Sequence, residues 1–220
     1  MTTILTSAAG LFFLWFLPGY LPGSIPFGYV FGRLKGIDIR QHGSGNIGAT
    51  NVWRVMGRGW GIATFVLDFA KGPIGALLAM GVAKFFPPGV AAVDGWEAAV
   101  RPLLPLVGAV VGHNFPVWLG FRGGKGVATS AGALLWLFPK VFPVVLLVWA
   151  VFFAAFRYVS LASMAASVVL PVGVWFLYPG RPLYFWLCCF LGAMSVWRHR
   201  SNIQRLIKGT ESRWGRKEKG

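Results

Sequence analysis

Long apolar runs dominate this sequence, and they restrict the fold more than any other feature. A bilayer's hydrocarbon core is about 30 Å thick and is crossed by roughly 20 helical residues. Runs near 4–31, 59–83, 101–119, 126–138, 141–156, 159–178 and 182–197 are candidate spans by that standard. A soluble domain has no use for so many. With 56% hydrophobic residues against 12% charged in a 220-residue chain, the composition agrees. Lipid offers the backbone no hydrogen bonds, so spanning segments of this kind are helices. The expectation is an all-α integral membrane protein with seven transmembrane helices, forming a single domain over 1–220.

The charges orient it. Of the 21 Lys and Arg residues, 16 fall on one side of the predicted bilayer: Arg33, Lys35, Arg40, Arg54, Arg58, Arg122, Lys125, Arg157 and eight of the C-terminal segment. Lys84, Arg101, Lys140 and Arg181 fall on the other side, and Lys71 lies within the second span. Positive residues stay in the cytoplasm, so the N-terminus is expected outside and the C-terminus cytoplasmic. The first run lacks a basic leading segment and a small-residue cleavage site, so it reads as a retained helix rather than a signal peptide. Cys188 and Cys189 are adjacent in an apolar run and have no metal or disulfide spacing. Segments 32–58, 120–126 and 198–211, with the basic tail 212–220, all fall on the cytoplasmic side.

Those segments carry the chemistry. Gly43-Ser44-Gly45-Asn46-Ile47-Gly48-Ala49-Thr50-Asn51 matches the dinucleotide pattern G-x-G-x-x-G, but no strand or βαβ unit surrounds it. It reads as a polar interhelical loop, or as a nest of N–H groups converging on an anion. The donors of Ser44, Asn46, Thr50 and Asn51 favour the nest. Arg54 follows Asn51 by three, on the same face of a helix starting there. Gly120-Phe121-Arg122-Gly123-Gly124-Lys125-Gly126 fails as a P-loop, because Leu119 and Gly126 stand where Gly and Ser or Thr are needed. It still joins two cations to the start of a helix, whose N-terminus attracts anions. His199 and Asn202, three apart in the basic C-terminal segment, would face the same way on a continued helix. His199 is able to act as acid or base near neutral pH.

Asp68 and Lys71 are expensive in a span and read as an ion pair or as a substrate contact. His113-Asn114 reads as a hydrogen-bonded structural pair. Of the carboxylates that two-metal phosphoryl chemistry requires, the cytoplasmic segments hold only Asp38, Glu211 and Glu218. The H-x-x-x-x-D pair of many acyltransferases is missing, since Ile47, Trp118 and Gln204 follow the histidines at that spacing. No metal and no cofactor are expected.

Taken in order, Gly23-Ser24-Ile25-Pro26-Phe27-Gly28, the 43–51 loop, Asp68-Phe69-Ala70-Lys71-Gly72, Gly112-His113-Asn114-Phe115-Pro116, the 120–129 segment and Arg198-His199-Arg200-Ser201-Asn202-Ile203 form one pattern. It closely resembles the bacterial acyl-phosphate:glycerol-3-phosphate 1-acyltransferases, from about residue 20 to 211. The outer loop near 84–100 is longer than usual for them. The resemblance implies transfer of a fatty acyl group from acyl phosphate to the 1-hydroxyl of glycerol 3-phosphate. The products are lysophosphatidic acid and inorganic phosphate, the setting is bacterial phospholipid biosynthesis, and the place is the cytoplasmic (inner) membrane. A separate soluble or peripheral enzyme would supply the acyl phosphate, and nucleic acid is not an expected partner. It also implies that Gly43, Ser44, Gly45, Asn46, Gly48, Thr50 and Asn51 hold the acyl-phosphate head group. Arg54, Gly123, Gly124, Lys125, His199 and Asn202 would hold glycerol 3-phosphate, with Ser44, Arg54, Lys125, His199 and Asn202 as the catalytic set. A rival reading is an organic-phosphate transporter, but the anion signals lie at one membrane face and no inverted repeat is visible.

Overall fold

The computed structural model describes residues 10, 12–85 and 100–215. Most of the outer loop 84–100, the start of the first predicted span and the tail beyond Gly215 lie outside the described residues. Two compact units divide the chain, Met1–Leu137 and Phe138–Gly220.

In the first unit a π-helical turn, Phe12–Phe16, leads into α1 (Leu17–Gly23), followed by α2 (Phe27–Leu34), α3 (Ala49–Met56), α4 (Arg58–Ala83), α5 (Leu104–Asn114) and α6 (Val127–Leu137). The second unit holds α7 (Phe142–Phe156), α8 (Val159–Leu177), α9 (Pro182–Arg198) and α10 (Arg200–Ile207). No strand occurs among the described residues.

Two predicted spans are corrected. The run near 4–31 is not one helix: it breaks at Ser24–Pro26, where the Ser24 hydroxyl folds back onto the Tyr20 carbonyl at 2.8 Å. Pro26 has no N–H to continue the helical ladder and biases Ile25 away from helical angles. The run 101–119 is cut for the same reason. Its helix stops at Asn114, two residues before Pro116, and a 3₁₀ turn occupies Val117–Leu119. α5 and α6 have 11 residues each, which is about 16 Å of helix at 1.5 Å per residue. Among the described residues only α4 and α8 are both long and apolar enough to cross a bilayer unaided.

Polarity is arranged inside out. Phe65, Leu77, Leu147, Trp175, Phe176 and Trp186 are exposed, while Asp68, Lys71, His113, Asn114 and Thr129 are buried. In water that arrangement would waste the hydrophobic effect; in lipid it places apolar groups against acyl chains and polar groups against one another.

Close backbone approach holds the helices together, as expected where lipid removes the hydrophobic drive between them. α1 packs on α5 through Gly19, Gly23, Gly108 and Gly112, each within touching distance of the facing backbone. α4 meets α6 where Gly72 faces Ala133 and Gly132 faces the Phe69 carbonyl. In the second unit the run Ala162-Ser163-Met164-Ala165-Ala166-Ser167 packs closely, as its small residues predict. Trp149 donates to the Ser163 hydroxyl at 3.2 Å, and the Ser167 hydroxyl donates to that of Ser195 at 2.8 Å.

Candidate active site

Asn51, in the first turn of α3, holds the preceding loop 42–48 in place. It is 1% exposed, and its carbonyl oxygen accepts the Ser44 N–H at 2.8 Å. Its amide donates to the carbonyls of Asn46 at 2.9 Å and His42 at 3.0 Å, with Ile39 at 3.3 Å. Gly43 adopts φ +58°, and a Cβ there would collide with Asn51 Oδ1, so the turn requires glycine. Ile39, Ile47 and Val52 form a small apolar core for the loop, flanked by Tyr29, Val55 and Trp60. Arg40 does not contribute a spare charge. It pairs with Asp38 at 2.7 Å and lies over the Tyr29 ring, and its hydrogen bond holds the Asp38 carboxyl at about 2.

Three backbone N–H groups of the expected anion nest are engaged within the loop itself. The N–H groups of Ser44, Gly45 and Gly48 are already bonded, to Asn51 Oδ1, the His42 carbonyl and Asn46 Oδ1. The carboxamides of Asn46 and Asn51 and the angles of Gly43 and Gly45 shape the loop. On its surface stand Ser44 and Arg54, both exposed, and Thr50, half-buried at the start of α3. Arg54 Nη1 lies 3.4 Å from Asn51 Oδ1, on the shared helix face that the spacing predicts.

The glycine loop before α6 is similar. The N–H groups of Gly123 and Gly124 donate to the carbonyls of Asn114 and His113 at 3.2 and 3.0 Å. These bonds tie the loop to the end of α5. Gly124 lies against the His113 ring, and Gly123 against the His113 carbonyl and Pro116. Lys125, half-buried, follows directly.

Beneath that loop is a buried charged cluster. Lys71 Nζ lies 2.7 Å from Asp68 Oδ1 and 3.1 Å from His113 Nδ1, and the Phe27 ring is 5.1 Å from the same ammonium. The ion pair expected between Asp68 and Lys71 is present. The expected His113–Asn114 pair is not. His113 joins the ion pair across helices, whereas the Asn114 carboxamide, fully buried, has no hydrogen-bond partner. Neighbours i and i+1 on a helix point in different directions, which explains the miss.

In the second unit His199 and Asn202 are 2% and 5% exposed. His199 Nδ1 donates to the Ser195 carbonyl at 2.8 Å, so Nε2 is the nitrogen whose protonation can change. Asn202 donates to Glu211 Oε1 at 2.6 Å. Glu211 also accepts from the Ser160 hydroxyl at 2.6 Å and, through Oε2, from Arg205 at 2.7 Å. Burial pushes the Glu211 carboxyl up, but these hydrogen bonds outweigh it and hold it below its usual range. The sequence signalled Glu211 only by its rarity: an acid in a basic segment, brought back to Asn202 by the turn after α10.

The profile of the glycerol-3-phosphate acyltransferase family matches residues 13–209. The chain belongs to that family. A Rhodospirillum rubrum relative named glycerol-3-phosphate acyltransferase is 46% identical over 205 residues, covering 92% of this chain and 91% of the relative. One from Halalkalibacterium halodurans is 42% identical over 211 residues, covering 90% and 93%. Among solved structures, PlsY (YgiH), an integral membrane glycerol 3-phosphate acyltransferase in its glycerol 3-phosphate form, is 42% identical with a TM-score of 0.78. The match covers 94% of this chain and 96% of that one. Its lysophosphatidic acid form gives a TM-score of 0.74. Membership in this acyltransferase family places the chain in phospholipid synthesis at the membrane, as the sequence pattern predicts. Among the described residues of this family member, no group of three or more His, Cys, Asp or Glu is placed to hold a metal.

Proposed function

We propose that this chain transfers a fatty acyl group from acyl phosphate to the 1-hydroxyl of glycerol 3-phosphate, releasing inorganic phosphate and lysophosphatidic acid. The observation that carries the reading is the 42–54 segment, a loop running into α3, which holds its own backbone in place through Asn51 and presents Ser44 and Arg54. Preorganised donors of this sort are what a reaction with developing negative charge needs. An acyl phosphate is a mixed anhydride: its carbonyl is already activated and phosphate is a good leaving group. The acceptor oxygen attacks the carbonyl carbon, the C–O bond to phosphate breaks, and the hydroxyl proton passes to a substrate phosphate oxygen. The protein's work is then to position two anions and offset charge. Ser44 and Thr50 face the acyl-phosphate head group. Arg54 and Lys125 bind the phosphate of glycerol 3-phosphate, with His199 and Asn202 assigned to the same acceptor. The forms in which the PlsY neighbour was solved support that acceptor and that product.

The proposed setting is the bacterial cytoplasmic membrane, with seven membrane-embedded segments, the N-terminus outside and both loops facing the cytoplasm. α5 and α6 are short of a full crossing, which recesses the Gly120–Gly126 loop into the bilayer's thickness. Non-helical backbone is tolerated at that depth when protein satisfies it, as the carbonyls of His113 and Asn114 do here. Purified Ser44→Ala, Arg54→Ala and Lys125→Ala are expected to lose acyl transfer while keeping the wild-type melting temperature. A normal rate for Arg54→Ala would overturn the site assignment.

A further inference from the structure

Lys71, Asp68 and His113 have no part in the reaction as proposed, yet they lie directly behind the loop that carries Lys125. A lysine ammonium only donates hydrogen bonds. At 3.1 Å from His113 Nδ1, it requires that nitrogen to present its lone pair. Asp68, 3.5 Å from the same nitrogen, is too far for a good hydrogen bond to it and instead neutralises Lys71 at 2.7 Å. The ring is therefore neutral, with its proton on Nε2, and its orientation is fixed by an ion pair that is 2% exposed on both sides.

The far edge of that ring is the surface on which Gly124 rests. A Cβ at Gly124 would fall on Nε2, with Cδ2 and Cε1 at 2.8 and 2.9 Å. The main chain of His113 also accepts the Gly124 N–H at 3.0 Å. Lys125 is the next residue. Its backbone is thus set on one side by the ring edge and on the other by the ladder to α5.

We infer that His113, locked by Lys71 and Asp68, is a positioning residue for Lys125, setting the cation that meets the phosphate of glycerol 3-phosphate. This deepens the proposed function and rests on its assignment of Lys125. The buried ion pair thereby has a use beyond holding helices together: it fixes the tautomer and tilt of the surface beneath the loop, as outer partners fix a ligating histidine.

The test compares His113→Asn and Lys125→Ala in the full-length detergent-purified protein. Asn keeps an acceptor for Lys71 where Nδ1 stood but removes the ring edge from beneath Gly124. The KM for glycerol 3-phosphate is expected to rise on the order of ten- to a hundred-fold, the range for outer-partner loss, with the KM for palmitoyl phosphate and the melting temperature unchanged. The chain has three histidines, so ¹⁵N-histidine spectra with His42→Gln and His199→Gln variants assign His113. Its expected signature is a bare Nδ1 and a protonated Nε2. An unchanged KM for glycerol 3-phosphate in His113→Asn beside a raised one in Lys125→Ala overturns the inference alone, as does a protonated Nδ1. An unchanged KM in Lys125→Ala overturns the assignment of Lys125 and the inference with it. Equal rises in both KM values with a lowered melting temperature reduce His113 to a structural residue and also overturn it.

Discussion

Replacing Asn51 separates a loop builder from a substrate donor. Its three shorter hydrogen bonds, at 2.8, 2.9 and 3.0 Å, bind Ser44, Asn46 and His42. At a net of about 1 kcal/mol each, Asn51→Ala withdraws about 3 kcal/mol from the loop. If the ordered loop is the reactive form, that becomes roughly a hundredfold loss of kcat/KM at ~1.4 kcal/mol per tenfold. Asn51→Asp is nearly isosteric but should be worse. A carboxylate accepts only, so it would face the carbonyls of Ile39, His42 and Asn46 and draw Arg54 toward itself. The assay is phosphate release from palmitoyl phosphate in the presence of glycerol 3-phosphate, with amide exchange followed over residues 42–51. Both variants are expected to speed exchange at Ser44 and to lower kcat/KM for both substrates. Wild-type turnover in Asn51→Asp would show that the loop does not depend on the Asn51 amide. A rise in the KM for acyl phosphate alone, with exchange unchanged, would make Asn51 a head-group donor rather than a loop builder.

Three other outcomes follow from the packing and the second unit. Gly72→Val should prevent α4 from approaching Ala133 of α6 and destabilise the protein by about 1–3 kcal/mol, read from unfolding in mixed micelles. Gly81→Ala, where a Cβ meets nothing within 4 Å, should be neutral or stabilising by up to about 1 kcal/mol. Glu211→Gln tests an acid whose carboxyl is held below the usual glutamate range by its hydrogen bonds to Ser160, Asn202 and Arg205. A depressed carboxyl stabilises the fold above its unfolded pKa and stops doing so as pH falls through its folded pKa. The melting-temperature gap between wild type and Glu211→Gln should therefore be full at neutral pH and close as pH falls through and below the usual carboxylate range; a gap independent of pH would contradict the assignment.

Much of the fold is legible in the chain because lipid leaves few solutions. Apolar runs had to be helices, and the small-residue run 162–167 had to be a contact. Helix ends were harder to read. Pro26 and Pro116 each interrupt a run whose hydropathy carries straight on, so apolarity alone overran both breaks. At the site, residue types were readable and partners were not. Asn51 and Gly124 belong to recognisable motifs, but only the folded backbone shows their polar groups turned inward. Glu211 and the link between Lys71 and His113 depend on contacts 9 and 42 residues apart in the chain, which no local pattern encodes.

The acyl donor distinguishes this enzyme from one that uses acyl-CoA. Purified protein given glycerol 3-phosphate and either palmitoyl phosphate or palmitoyl-CoA should release phosphate and form lysophosphatidic acid from the first alone, with Lys125→Ala silent. Turnover with palmitoyl-CoA and none with palmitoyl phosphate would contradict the account.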